Sequence, residues 1–391
     1  MVKIKKLVQK RKIDILLLQE SKRSSVDSSF VKSMWPWESL QFMAVDSEGS
    51  ARGLLCVWNP EVFNLVECCS ARSFILLSGT YNQSFGCVVV NIYAPNDSRL
   101  RSQLWEVLFR LRLSFQQPWC IGGDFNEVRS MGERKGCLRR DRGMSEFNEF
   151  LEKMELCDLP MLGRRFTWCN SVEGERWSRI DRFVVDLEWL EVFRLKQWGL
   201  PRIVSDHCPL LLMEDVRNWG PRPFRFINAW FLHPDFKTVV KKSWEEANAL
   251  GWAGYRLKGK LAKLKSDLTK WNVDVFDNMK HQLKIAEEEL HEIDLLAEDG
   301  PLLGAAIDRR RELRSLVWNY SRRLEWLWRQ KSRLKWAQEG DKNTRFFHVV
   351  ASRRQSKNVL DSVVVDGVRV DDPEQVKQAV FRHFKDLYFE V

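Results

Sequence analysis

Apolar residues change their period once along this chain, and that change limits the folds open to it. Through residue 214 they come in short runs of five to seven, at 13–19, 53–58, 74–80, 87–93, 119–123, 180–185 and 208–213. These runs are rich in β-branched and aromatic side chains and are bounded by Gly, Pro, Asn and Ser, the signature of strands. Amphipathic stretches lie between them and read as helices, at 98–113, opened by Asp97 or Ser98 as cap, and at 145–155, after Gly143. From about residue 255 the apolar spacing alternates between four and three through Leu257, Leu261, Leu264, Leu268, Trp271 and Val275, a coiled-coil seam. Gly300 and Pro301 interrupt the pattern, and a second seam follows through Leu313, Leu316, Tyr320, Leu324, Leu327 and Leu334. A break between two such seams predicts an antiparallel helical hairpin. Three regions are therefore expected. Residues 1–214 form an α/β (α+β) domain, a two-sheet sandwich flanked by helices. Residues 215–254, with Pro221, Pro223, Pro234, Trp219, Phe224, Phe226, Trp230 and Phe231, form a linker lying along a surface. Residues 255–391 form a helical, coiled-coil-like connector.

The first twelve residues are basic, yet Ile4, Leu7 and Val8 sit at helical spacing, which predicts an amphipathic helix covering a sheet rather than a targeting peptide. No apolar run approaches the roughly 20 residues that cross a bilayer, so no membrane partner is expected. All nine cysteines lie between Cys56 and Cys208 at irregular spacings without a CxxC pair. They read as reduced thiols of an intracellular protein, acting as small buried apolar side chains. The net charge of +10 and pI near 9.1 suit a polyanionic partner such as nucleic acid. Arg309, Arg310, Arg311, Arg314, Arg322, Arg323, Arg329, Lys331 and Arg333 crowd the second seam. That face reads equally as a solvated helix surface or as a contact for nucleic acid, RNA included. Of the eighteen tryptophans, some suit base stacking, but a large domain places most in its core.

The chemistry-bearing residues stand at the ends of the apolar runs. Glu20 closes the run 13–19; Gly122-Gly123-Asp124-Phe125-Asn126 closes the run that begins at Trp119; Asp181 sits in Arg179-Ile180-Asp181-Arg182; Ser205-Asp206-His207-Cys208-Pro209 precedes the run 208–213. Polar side chains at strand ends are where α/β folds collect their chemistry. Three acids, an Asn and a His/Asp pair there compose a plausible divalent-metal phosphoesterase site.

With these residues in view, the chain resembles the endonuclease/exonuclease/phosphatase superfamily, with its DNase I-like sandwich. It resembles in particular the endonuclease that begins the polyprotein of plant LINE-type (non-LTR) retrotransposons. The matching stretches are Leu17-Leu18-Gln19-Glu20-Ser21, Asn91-Ile92-Tyr93-Ala94-Pro95-Asn96, the Asp124 and Asn126 segment, Arg165-Phe166-Thr167-Trp168, the Asp181 segment and the His207 segment. Six matches in the family's order over roughly two hundred residues are specific where one alone is not. The resemblance implies Glu20 and Asp206 as ligands of Mg²⁺, with Mn²⁺ as substitute. It implies His207 as a hydrogen-bond donor to the phosphate, with Asp181 holding its tautomer. Asp124 would activate water or protonate the leaving oxygen, Asn126 would orient the phosphate, and Tyr93 would donate to the phosphate or steady the leaving group. The implied partner is a target DNA duplex, nicked to leave a 3′-hydroxyl, and a chromosomal substrate implies the nucleus. Residues 336–348 resemble the connector that leads to a reverse transcriptase, and no Asp-Asp polymerase motif occurs in the 391 residues.

Each residue taken alone also fits a structural role. Glu20 can cap a turn, Asp124 with Asn126 can form an Asx turn, His207 can pack under Pro209, and Tyr93 can be core. One part of the family pattern has no counterpart. The family opens with a further strand carrying an Asn that binds metal or phosphate, whereas Met1 begins at the first helix. Two functions are therefore expected as alternatives: a metal-dependent endonuclease whose site lacks one residue, or a non-catalytic remnant that binds nucleic acid or protein. Open strand edges are expected where the strand is missing.

Overall fold

The computed structural model describes residues 1–47, 53–136, 142–170, 175–202, 205–220, 224–247, 251–276, 278–332, 360 and 362–389. The chain divides into two compact units, residues 1–218 with 352–391, and residues 219–351.

The first unit is a four-layer sandwich. Its strands are β1 (Ile15–Gln19), β2 (Gln41–Val45), β3 (Leu54–Trp58), β4 (Phe63–Ala71), β5 (Phe74–Tyr81), β6 (Phe85–Tyr93), β7 (Trp119–Asp124), β8 (Arg134–Lys135), β9 (Cys157–Asp158), β10 (Met161–Leu162), β11 (Trp168–Cys169), β12 (Trp177–Ser178), β13 (Asp181–Val185), β14 (Leu195–Gly199) and β15 (Leu210–Glu214). Its helices are α1 (Val2–Arg11), α2 (Ser28–Lys32), α3 (Ser98–Ser114), α4 (Arg142–Lys153) and α5 (Leu187–Val192). The large sheet has the order β4-β5-β6-β7-β13-β9, antiparallel except where β6 and β7 run parallel. That parallel pair needs a long crossover, and α3 supplies it. Asp97 caps α3 by accepting the N–H groups of Arg99 and Leu100, as its sequence predicts.

Alternation along the strands sorts their side chains to two faces. Leu76, Val90, Ile92 and Ile121 face α3 and α4, where they meet Leu108, Phe147, Leu151 and Trp105, whose ring stacks on Phe150. Ile75, Leu77, Val89 and Cys120 face the opposite way, onto Leu54, Cys56 and Trp58 of β3 and Ile15 and Leu17 of β1. The outer face of that small sheet, through Leu16, Leu18, Leu55 and Val57, is covered by Val8 and Ile4 of α1 and by Val31 of α2. The expected helix over the sheet is thus present. Most described cysteines are buried, but Cys68 is exposed and Cys69 half-buried, because β4 is an edge strand.

The second layer is split into β1-β3-β2 and β10-β14-β15. Among the described residues β1 and β15 each pair on one side only.

The connector expected over 255–391 is divided between the units. A hairpin of β16 (Val363–Val365) and β17 (Val368–Val370), with the helix Pro373–Phe389, belongs to the first unit. The Arg217 guanidinium donates to the Asp371 carbonyl at 2.8 Å, and Arg369 lies over the Trp198 ring.

The second unit holds helices at Phe236–Glu245, Ala253–Trp271, Met279–Asp299 and Gly304–Ser332. Part of the expected linker is core here. Trp230 and Phe236 are buried against Leu268, Trp271 and Met279, with Tyr320, Leu324 and Leu327 packed alongside. The first seam also ends earlier than its spacing suggests: Asn272–Phe276 winds as one wide turn, and Leu257 and Leu261 are half-exposed. An antiparallel hairpin forms across residues 300–303, but its first arm is Met279–Asp299 rather than the helix of the first seam; there Arg309 meets Glu289 and Arg310 meets Asp294. Several arginines of the basic face are therefore paired with acids. Residues 336–348 and Leu334 lie outside the described residues.

Candidate active site

Register brings three site residues into one row. Tyr93, the last residue of β6, lies beside Asp124, the last of β7, and Asp124 lies opposite Asp181, the first of β13. Gly123 makes the close approach possible: its φ is +139°, and a Cβ there would run into the Ile92 carbonyl oxygen. Glu20 follows the end of β1, and the loop holding Asp206 and His207 precedes β15. Glu20 and Asn126 both adopt left-handed backbone, with φ of 52° and 48°. Such conformations are uncommon outside Gly and concentrate at functional sites.

Asp124, Asp181 and His207 come together, each offering a ligand atom within 4.8 Å of the others. His207 Nδ1 lies 3.0 and 2.9 Å from the two carboxylate oxygens of Asp181. A carboxylate only accepts, so Nδ1 carries the proton and Nε2 is left for other work. Burial acts to lower the His207 pKa, but the hydrogen bond and charge of Asp181, with the charges of Asp124 and Asp206, outweigh it and raise it to about 9. Burial also pushes the Asp124 carboxyl well above the usual carboxylate range, helped by the neighbouring Asp181 charge. Asp124 accepts the Asn126 N–H at 2.8 Å, so the Asx turn read as a structural alternative exists within the site itself. The Asn126 amide donates to the Ala94 carbonyl at 2.7 Å and has a second N–H to offer.

Tyr93 is tied to Glu20, its hydroxyl donating to Oε1 at 2.6 Å. Asp206 is held from two sides: the Trp168 indole N–H donates to Oδ2 at 2.8 Å, and the Ser205 hydroxyl donates to Oδ1 at 3.1 Å. Burial raises the Asp206 carboxyl, yet the Trp168 hydrogen bond, the His207 charge and Ser205 outweigh it, and it titrates below the ordinary value. The expected ligand pair, Glu20 and Asp206, is not the pair in the tight cluster, which is Asp124, Asp181 and His207.

The donor set nevertheless fits a hard divalent cation. Asp124 feels the charges of Asp181, Glu20 and His207, and His207 those of Asp181, Asp124 and Asp206. Four carboxyl groups thus share the site with one histidine whose Nδ1 is already engaged, while Lys22 reaches Glu20 at 3.9 Å. Oxygen ligands in such excess suit Mg²⁺ or Mn²⁺ rather than a soft metal.

Several residues without a role in the sequence reading hold this arrangement in place. The buried Asn91 amide donates to the Leu18 and Leu55 carbonyls, and its oxygen accepts from Gln19, which fixes the end of β1 just before Glu20. One polar residue inside the apolar run 87–93 was the available signal. Behind Asp181, the fully buried Arg182 bonds Asp158 at 2.9 Å and Glu133 at 3.1 Å, while Arg179 and Arg129 share the same Asp158.

Residues 1–207, more than half of the chain, match the endonuclease/exonuclease/phosphatase family. Nucleases of this family generally depend on a divalent metal. The chain is 20% identical over 353 residues to an uncharacterized 149 kDa protein of transposon TX1 from Xenopus laevis, an alignment covering 85% of this chain and 26% of that protein. It spans about a quarter of that relative's length. Among solved structures, the endonuclease domain of TRAS1, a telomere-specific non-LTR retrotransposon, is similar with a TM-score of 0.42 and 15% identity, covering 55% of this chain and 92% of that one. The Leishmania major AP endonuclease is similar with a TM-score of 0.43 and 16% identity, covering 54% and 81%. By its sequence match and by the row of strand-end residues that the match spans, the chain belongs to the endonuclease/exonuclease/phosphatase family.

Proposed function

We propose that this chain is the endonuclease of a LINE-type (non-LTR) retroelement, a metal-dependent phosphodiesterase that nicks duplex DNA and leaves a 3′-hydroxyl. The carrying observation is the cluster of Asp124, Asp181 and His207, two buried acids and a histidine paired through Nδ1. Phosphodiester hydrolysis requires a positioned water, a proton acceptor and donor, and positive charge facing the phosphate oxygens. His207, cationic at neutral pH and oriented by Asp181, presents its Nε2–H to a phosphate oxygen. Asp124, whose carboxyl holds a proton more tightly than usual, gives it to the leaving oxygen or takes one from the attacking water. Asn126 turns its second amide N–H toward the phosphate, and Tyr93 donates to the phosphate or the leaving group once released from Glu20. Glu20 and Asp206 would hold Mg²⁺ or Mn²⁺, which supplies charge stabilisation at the phosphate oxygens when bound. Such a substrate is chromosomal, which places the activity in the nucleus. The helical unit would add a contact to nucleic acid, RNA included, through arginines such as Arg314 and Arg322.

A second reading is a binding module without turnover, favoured by the position of Glu20 and Asp206 outside the tight cluster of Asp124, Asp181 and His207. Nicking of supercoiled plasmid separates the two. The purified chain with Mg²⁺ should give open circles whose ends a polymerase extends, and EDTA, Asp206→Ala or Glu20→Ala should each abolish this. Folded protein that binds DNA but leaves the plasmid closed with either metal would refute the endonuclease and support the binding module.

A further inference from the structure

Asp181 and His207 form their pair across two separate chain segments, and one side chain joins those segments. Thr167 is fully buried, and all its polar atoms are committed. Its N–H donates to the Ser178 carbonyl at 2.9 Å, and its carbonyl accepts the Cys208 N–H at 2.7 Å. Its hydroxyl oxygen accepts two successive backbone N–H groups, from Ile180 at 3.0 Å and Asp181 at 3.1 Å. The hydroxyl proton points to the Ser178 carbonyl at 3.4 Å. One end of the residue therefore holds the head of β13, which carries Asp181, and the other holds the loop that carries His207. The next residue, Trp168, bridges His207 through its backbone and Asp206 through its indole.

We infer that Thr167 is a positioning residue of the hydrolytic site: its hydroxyl sets the distance and orientation between Asp181 and His207. The inference rests on the endonuclease reading for its kinetic consequence, while its structural consequence stands apart from it. The ladder of β13 begins at Asp181, and the Ile180 carbonyl is already taken by the Phe125 N–H. Among the described residues, the Thr167 oxygen is the hydrogen-bond acceptor of both N–H groups. A side chain of equal shape without that oxygen leaves two buried donors unsatisfied, and such donors drive local rearrangement. The strand head must then rotate or admit water. The Asp181 carboxylate lies within hydrogen-bond distance of His207 Nδ1 through both oxygens, so rotation of the head breaks a bond that has little slack.

The test compares Thr167→Val, which keeps the shape and removes the oxygen, with Thr167→Ser, which keeps the oxygen. Plasmid nicking is measured as kcat and KM, and the His207 Nδ1–H proton is followed by NMR through its bond to Asp181. Valine should lower kcat at least about tenfold with KM within about twofold, because small misplacements at a reacting centre cost rate rather than affinity. Serine should restore kcat to within about threefold. The downfield Nδ1–H signal should be present in the wild type and the serine variant and absent with valine. A folded valine variant with wild-type kcat and an intact signal overturns the inference, as do serine and valine variants impaired alike. If valine prevents folding, Thr167→Cys replaces it, since sulfur keeps the volume and is a poor acceptor. A wild type that does not nick refutes the endonuclease reading, and the Nδ1–H signal then decides the positioning role alone.

Discussion

Replacing Asp158 with alanine should strip the first unit of much of its stability. The carboxylate is almost fully buried, with its side chain only 5% exposed, and it receives Arg129 at 3.3 Å, Arg179 at 2.9 Å and Arg182 at 2.9 Å. Hydrogen bonds to charged groups are worth about 1.5–3 kcal/mol each, so three would sum to roughly 4.5–9 kcal/mol if independent. They are not independent. Glu133 remains on Arg179 and Arg182 after the substitution and keeps part of the charge compensated. The relevant scale is that of breaking a buried pair by removing one partner, about 3–5 kcal/mol. Because the chain has two units, global unfolding is a poor readout. Native-state amide exchange in β13, which pairs next to the cluster, reports the unit concerned. Asp158→Ala should lower the opening free energy of Val184 and Val185 by about 3–5 kcal/mol, and Asp158→Asn by less. The effect should also depend on pH. Burial acts to raise the Asp158 carboxyl, but the Arg182, Arg179 and Arg129 charges prevail and hold it below its ordinary value. Its contribution is then complete above the unfolded pKa of about 3.9 and disappears as the pH falls through the lower folded value. A loss under about 1 kcal/mol at pH 7 would mean that the arginines find equivalent partners, and would refute the cluster as the anchor of β13.

Two further outcomes follow from the site. His207, raised to about 9 by Asp181, contributes stability that is complete below its unfolded pKa of about 6.5 and is lost as the pH rises through about 9. Thermal unfolding of the wild type and His207→Gln without metal should therefore differ most near pH 6 and converge above pH 9 to 10; a gap independent of pH would contradict this. Trp168→Phe keeps an aromatic ring, though a smaller one, and removes the indole N–H that holds Asp206. Nicking titrated against Mg²⁺ should then require about 10–100-fold more metal at similar maximal rate, and an unchanged metal requirement would show that the indole does not orient this carboxylate.

Where the chemistry lies could be read from the chain because strands leave local marks. Period-two alternation assigns Leu76 and Ile75 to opposite faces, and a polar residue ending an apolar run marks a strand end, so Glu20, Asp124 and Asp181 stood out. The cap at Asp97 and the helix over the first sheet were legible for the same reason, since a cap and an amphipathic stripe are set by residues within one or two turns. The row that aligns Tyr93, Asp124 and Asp181 was not legible. It depends on the register of a parallel pair joined through α3 and of an antiparallel pair whose strands are more than fifty residues apart. Nothing local in the sequence marks Arg182, Arg179 and Asp158 as buried, and only their convergence from separate segments compensates their charges in the interior. Trp230 and Phe236 read as a surface linker, since nothing nearby in sequence could enclose them. They became core when two distant helices brought Leu268, Trp271 and Leu324 against them. Local periodicity determined which residues face inward and where strands end. Long-range pairing, whose loop-closure entropy is offset only by contacts the whole fold provides, decided which of those residues meet.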